Sequence, residues 1–313
     1  MPRHLTKISD LSKEEILRII EGARNIKAHP LAYAERLKNK TLLMLFEKPS
    51  LRTRVSFEVG MTQMGGHAIF YSVADSPLGK KESIEDTAKV LSRFVDVVMA
   101  RVNTRKTVQE LAANSAIPII NALDDFAHPC QMLCDLQTIV EKRGTLEGLK
   151  MAYCGDLHNN VTYDLMRSAA VMGFDMSVAG PSGPGFEVEP EVLEECQRLC
   201  AVSGGHVRVC ATSQEACRGV DVIYADSWMS YGISKDQLQE RINRFMPFQI
   251  NEALLQVAKP DVIFMNCLPA ARGMEQTAGV IDGPHSIVFD QAENRLHAQK
   301  SLLLFLLGQP LLD

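Results

Sequence analysis

Short runs dominated by Val, Ile, Leu, Met and Ala recur along the chain, and most are followed by about ten to fifteen residues of helical periodicity. The runs near 41–46, 68–71, 95–101 and 118–122 predict strands in the first half; those near 150–154, 176–179, 207–211, 220–225, 262–267 and 287–289 predict strands in the second. Helices are expected to begin near Ser50, Ser83 and Thr107 and to cover 161–171, 191–202 and 235–245. Alternation of this kind builds parallel sheets, because each crossover needs a helix. A long helix over 129–142 joins the halves, and Gly144 is a suitable residue to end it. The last helix, near 294–307, is apolar on every side and is expected to pack back on the first half. The fold class is therefore α/β, with two doubly wound parallel-sheet domains facing each other across a cleft. Domain limits are expected at 1–144 and 145–292, with the segment 293–313 returning to the first domain.

Composition narrows the function classes. Of 313 residues, 46% are hydrophobic and 23% charged, ordinary for a globular protein. Thirty-three Lys and Arg against 38 Asp and Glu leave a net charge of -5, spread too evenly for a nucleic-acid surface. The longest apolar run, 302–307, is far short of the roughly 20 residues that span a bilayer. The N-terminus reaches a capped helical pattern without a signal or transit segment, which predicts a cytoplasmic address. Eight cysteines, most in apolar strands or helices and none in a C-x-x-C pair, read as reduced thiols, so neither a disulfide scaffold nor a bound metal is expected.

Ligands of open α/β sheets gather outside the carboxyl ends of the strands. Four strand ends carry suitable chemistry. After 41–46 comes Ser50-Leu51-Arg52-Thr53-Arg54, an N-cap followed by two arginines in the first helical turn. Cations there oppose the helix dipole by roughly 0.3–1 kcal/mol each unless an anion lies between them and the free amides. The plainer alternative is that these arginines pair with carboxylates such as Glu58. Arg101 ends a strand of the same sheet, and His128-Pro129-Cys130-Gln131 follows another. In the second half, Gly155-Asp156 is not followed by the G-x-G-x-x-G of a dinucleotide site, which excludes NAD. Asp226-Ser227-Trp228-Met229-Ser230-Tyr231-Gly232 and Asn266-Cys267-Leu268-Pro269 also stand at strand ends. Taken singly, Asp226 could be a helix cap and Cys267 a buried thiol.

Together these motifs, with Glu293-Asn294-Arg295, resemble in order and spacing the aspartate/ornithine carbamoyltransferase family, nearest to its ornithine branch, over essentially the whole chain. The resemblance implies a carbamoyl-phosphate domain followed by an amino-acid domain, no cofactor, and a homotrimer with sites at subunit interfaces. It implies that Ser50, Leu51, Arg52, Thr53 and Arg101 hold the phosphate, while Arg101, Thr53 and His128 polarise the carbamoyl carbonyl. Pro129, Cys130, Gln131, Cys267, Leu268 and Arg295 complete the carbamoyl-phosphate set. Asn160, Asp226, Ser230 and Tyr231 are implied to hold the α-amino and α-carboxylate groups of ornithine, with Cys267 beside the attacking amine. Arg52, Arg101, His128, Asp226, Cys267 and Arg295 are the implied catalytic groups. The chain has Asn266 where the family commonly has His, Tyr231 where it has Met, and Pro77 where a polar residue is usual. The expected activity is carbamoyl transfer to L-ornithine. Putrescine or an acylated ornithine is the alternative acceptor, and a non-catalytic carbamoyl-phosphate-binding scaffold is the alternative from another class.

Overall fold

A computed structural model describes residues 2–73, 82–229 and 238–312. They divide into two compact units, one of residues 1–141 and 293–313, the other of residues 142–292.

In unit 1, α1 (Lys13–Ala28) starts at a reciprocal cap: the Ser12 hydroxyl accepts from Glu15 N, and the Glu15 carboxylate accepts from Ser12 N. Its buried face is Ile16, Ile19, Ile20, Ala23 and Ile26, at helical spacing. The chain then runs β1 (Thr41–Phe46), α2 (Leu51–Gln63), β2 (His67–Ser72), α3 (Ile84–Phe94), β3 (Val97–Arg101), α4 (Arg105–Asn114), β4 (Ile119–Leu123) and α5 (Pro129–Arg143). The four strands are parallel in the order β2-β1-β3-β4. β3 and β4 are buried throughout and β1 nearly so, as expected of strands covered on both faces, whereas the edge strand β2 is half exposed.

Unit 2 contains β5 (Lys150–Cys154), α6 (Asn160–Met172), β6 (Asp175–Ala179), α7 (Pro190–Ser203), β7 (His206–Cys210), α8 (Ser213–Cys217), β8 (Val222–Ala225), α9 (Leu238–Phe245), α10 (Glu252–Leu255), β9 (Ile263–Asn266) and α11 (Ala278–Ile281). Its strands are also parallel, in the order β7-β6-β5-β8-β9. The order reverses between β1 and β3 in unit 1 and between β5 and β8 in unit 2. At such a reversal the crossovers leave to opposite sides and open a crevice at the carboxyl ends.

The final helix, α12 (Val288–Leu306), begins six residues before the expected Asn294. The strand expected at 287–289 does not form. Phe264 N bonds to His285 O and Ile287 N to Phe264 O, and then Ile287 O accepts from Gln291 N, so one bridge beside β9 passes directly into the helix. A short apolar run serves either element, and here the helical bonds prevail. From Glu293 onward the chain belongs to unit 1, where Ser301 Oγ donates to Ile19 O on α1 at 2.7 Å.

That approach leaves no room beside Gly22: a Cβ there would come within 2.6 Å of Ser301 Oγ and 3.3 Å of Leu311 Cβ. Gly22→Val is expected to lower stability by about 1–3 kcal/mol through overpacking. Thermal unfolding checks this, and an unchanged midpoint would contradict close packing of α1 against α12.

Candidate active site

In unit 1 the reversal between β1 and β3 places Ser50 and Arg101 at neighbouring strand ends. Ser50 is extended, caps α2 by accepting from Thr53 N, and donates its hydroxyl to Thr53 Oγ1 at 3.1 Å. No acidic residue stands in the first turn of α2. Thr53 is fully buried, and its Oγ1 also meets Arg101 Nη1 and Arg295 Nη2, each at 3.4 Å. Residues 50, 53, 101 and 295, from three separate stretches of chain, therefore converge on one hydroxyl. Arg52, half-buried, is the second residue of α2. Leu51 turns its side chain outward and offers only its backbone. Arg54 follows the plainer reading, pairing with Glu58 at 3.3 Å and stacking over the Phe70 ring.

Arg295 is almost completely buried and directs its nitrogens at three neutral oxygens: Nε at Gln299 Oε1 (2.9 Å), Nη1 at Gln131 Oε1 (2.8 Å) and Nη2 at Thr53. Gln299 Nε2 donates to Ser56 Oγ, which donates to the backbone oxygen of Arg52. His128 precedes α5, whose first residue is Pro129, a placement where the missing N–H costs nothing. The loop that carries His128 is held by Asp124, whose Oδ1 accepts from Phe126 N and Ala127 N at 2.7 Å each. Cys130 is buried and its thiol donates to Asn121 O, so that side chain serves the loop. Burial, reinforced by the charges of Arg295 and Arg101, holds the His128 pKa well below the ordinary imidazole value. Lys48 is lowered too, chiefly by burial and then by Arg101.

In unit 2 the reversal between β5 and β8 carries Asp156 and Asp226. Asp226 accepts from Cys267 Sγ at 3.1 Å on one oxygen and from Asn159 Nδ2 at 3.1 Å on the other. Burial raises its pKa against the pull of those hydrogen bonds. Asn159 caps α6 through its other amide atom, leaving Asn160 as the first helical residue. The loop after β8 is anchored by fully buried Trp228, its ring stacked on Phe245 at 5.6 Å, its backbone N–H donating to the Glu275 carboxylate and its backbone carbonyl accepting from Arg241. Arg241 also pairs with Asp156, whose pKa burial pushes up to about 6 in spite of that partner. Ser230, Tyr231 and Pro77 lie outside the described residues.

Asn266, where a His is usual, is fully buried and acts as a brace: Nδ2 donates to Gln276 and Oδ1 accepts from Leu268 N at 2.8 Å. That bond accompanies the left-handed φ of 58° at Leu268, uncommon for a bulky residue. The braced turn presents Cys267, half-buried, to Asp226. Sequence reasoning missed Asn159, Lys48, Ser56, Gln299 and Asp135. Only Asn159 carried a local signal, an Asn before a helical pattern; the others are recognisable only by what the fold brings to them.

A neutral histidine and two buried arginines beside a helix N-terminus, in a parallel α/β unit, define an anion-binding site of the kind used for transfer from a phosphorylated donor. The chain belongs to the aspartate/ornithine carbamoyltransferase family. Residues 3–141 match its carbamoyl-P binding domain and residues 147–306 its Asp/Orn binding domain. An ornithine carbamoyltransferase of Methanosarcina acetivorans is 48% identical over 309 residues, 98% of this chain and 100% of that one. One of Pyrococcus furiosus, described as anabolic, is 47% identical over 308 residues, 98% and 96% of the two chains. The solved structure of ornithine carbamoyltransferase from Pyrococcus furiosus superposes with a TM-score of 0.93 at 46% identity, covering 98% of this chain and 97% of that one. Among the described residues no cluster of His, Cys, Asp and Glu could hold a metal ion, and no helix is long and apolar enough to cross a membrane.

The lowered His128 pKa gives a signed pH dependence. Below about 6.5 the unfolded chain protonates this imidazole and the folded chain does not, so the group removes stability as pH falls and adds no slope well above that value. His128→Gln should therefore lose less stability than the parent between pH 7 and 5.5, measured by denaturant unfolding at each pH. Parallel curves would contradict a neutral, buried His128.

Proposed function

We propose that the cluster at Thr53 holds the phosphate of carbamoyl phosphate and that the pair Asp226–Cys267 receives the amino acid. The chain transfers the carbamoyl group of carbamoyl phosphate to the side-chain amine of L-ornithine, giving L-citrulline and phosphate. The observation that carries this reading is the convergence of Ser50, Arg101 and Arg295 on the buried Thr53 hydroxyl.

Amine attack on the carbamoyl carbon makes a tetrahedral oxyanion, and its collapse expels phosphate. Negative charge thus develops at the carbonyl oxygen and at the leaving group. Arg52, Arg101, Thr53 and the first amides of α2 stabilise the phosphate, and Arg101, Thr53 and His128 stabilise the oxyanion. His128 acts as a neutral hydrogen-bonding group, because burial, and after it the same positive field that binds the anion, disfavours protonation of its ring. Gln131 and Arg295 orient the carbamoyl group.

Asp226 supplies the counter-charge for the α-ammonium of ornithine, with Asn160, Ser230 and Tyr231 toward the α-carboxylate. Only the neutral side-chain amine attacks, and its solution pKa is about 10.4. In this reading Cys267 receives that amine, which the bond from its thiol to Asp226 supports. The reaction supplies arginine biosynthesis, in the cytoplasm, by a homotrimer with sites at subunit interfaces. Support for self-association comes from Leu51 and Val55 on α2 and Ile69 and Phe70 on the neighbouring edge strand β2, all exposed apolar side chains.

A citrulline-forming assay on an acceptor panel tests the reading. A site that pairs an α-carboxylate rejects the analogue lacking it, so ornithine should exceed putrescine by at least about a hundredfold in kcat/KM, roughly 2.7 kcal/mol. Asp226→Asn should shrink that ratio, since only ornithine loses its counter-charge. Preference for putrescine or acetylornithine would overturn the named acceptor, and no turnover with any amine would favour the scaffold.

A further inference from the structure

The orientation of the Gln131 side-chain amide is fixed from both ends. Its Nε2 donates to Asp135 Oδ1 at 2.8 Å, and its Oε1 accepts from Arg295 Nη1 at 2.8 Å. Asp135 is itself almost completely buried, one helical turn further along α5, and the Cys134 thiol also points at its Oδ1, at 3.7 Å. Two donors on one oxygen make this side chain an acceptor toward Gln131. In the opposite rotation the amide would set its oxygen against the Asp135 carboxyl and its NH₂ against a guanidinium, two repulsive contacts in a buried site. An amide oxygen has two lone pairs, and Arg295 engages one.

We propose that Asp135 is a positioning residue that locks the Gln131 amide with Oε1 presented as an acceptor, so that the site selects a phosphorylated donor bearing an N–H next to its carbonyl. The inference rests on Gln131 facing the carbamoyl group, as assigned above. Carbamoyl phosphate offers an NH₂ to that oxygen. Acetyl phosphate has the same phosphate and carbonyl but a methyl group in its place, and leaves the second lone pair of that oxygen unmatched. Arg295 alone does not suffice: with Asp135 removed, Nε2 keeps only the Cys134 sulfur at 3.4 Å, a weak acceptor, and the side chain turns to find a better one.

The test compares dissociation constants of carbamoyl phosphate, acetyl phosphate and inorganic phosphate, by calorimetry on the full chain. The unmodified protein is expected to favour carbamoyl over acetyl phosphate by at least about tenfold. Asp135→Leu, close in volume and without an acceptor, should lower that ratio about tenfold while inorganic phosphate changes by less than about threefold. Asp135→Ser, too short to reach Gln131 and asking for no extra space, should do the same if the leucine variant does not fold. Asp135→Asn should restore the ratio, because its Oδ1 can still accept. Ratios unchanged in the leucine and serine variants would overturn the proposal, as would equal weakening of all three ligands. Failure of the unmodified protein to bind carbamoyl phosphate would instead remove the functional reading beneath it.

Discussion

Two buried guanidinium groups directed at one hydroxyl are the constraint around which unit 1 is arranged. Taking an ion out of water costs several kcal/mol even after relaxation, and like charges in one buried site add to that cost. Arg295 meets only the neutral oxygens of Gln299, Gln131 and Thr53 through the bonds it makes there, so its charge is held in place without being cancelled by them. The effect of this positive field is visible on its neighbours. Burial lowers the pKa of both His128 and Lys48, and the arginines lower them further, Arg295 and Arg101 at His128 and Arg101 at Lys48. A site of this kind is completed by an anion, and the dipole of α2, with no acidic residue in its first turn, points the same way.

The fold makes this arrangement possible by topology. In each sheet the strand order reverses once, and the groups just described stand at that reversal: Ser50 and Arg101 in unit 1, Asp156 and Asp226 in unit 2. Side chains that follow different strands meet there without a long loop to support them. What fixes their orientation is a surrounding layer of amides and carboxylates. Asp124 ties down the His128 loop, Asn159 holds Asp226, and Asn266 braces the turn at Leu268. At the reversal in unit 2 the buried carboxylate of Asp226, bonded to Cys267 and Asn159, stands where unit 1 has arginines.

Much of this was legible in the sequence. Both sheets and most strands follow from period and length, since β1 and β5 each carry an unbroken apolar run, Leu42–Phe46 and Met151–Cys154. The helix–strand ambiguity at 287–289 was settled by tertiary hydrogen bonds that no local pattern contains. The motif residues Ser50, Thr53, Arg101 and Arg295 could be named as candidates, but their meeting at one oxygen could not, because it joins positions more than two hundred residues apart. Nor could most of the supporting side chains be found. Gln299, Ser56 and Asp135 are ordinary helical residues until the fold places a buried polar partner beside them.

Affinity for carbamoyl phosphate, measured by calorimetry for the parent chain and for Arg101→Met at two salt concentrations, tests the central claim most directly. Methionine keeps much of the buried volume and removes the charge. If the buried positive field at Thr53 is what captures the donor, the variant should bind at least about tenfold more weakly, and the parent should lose little with salt because buried charges are poorly screened. Equal affinity of the two proteins would contradict the account.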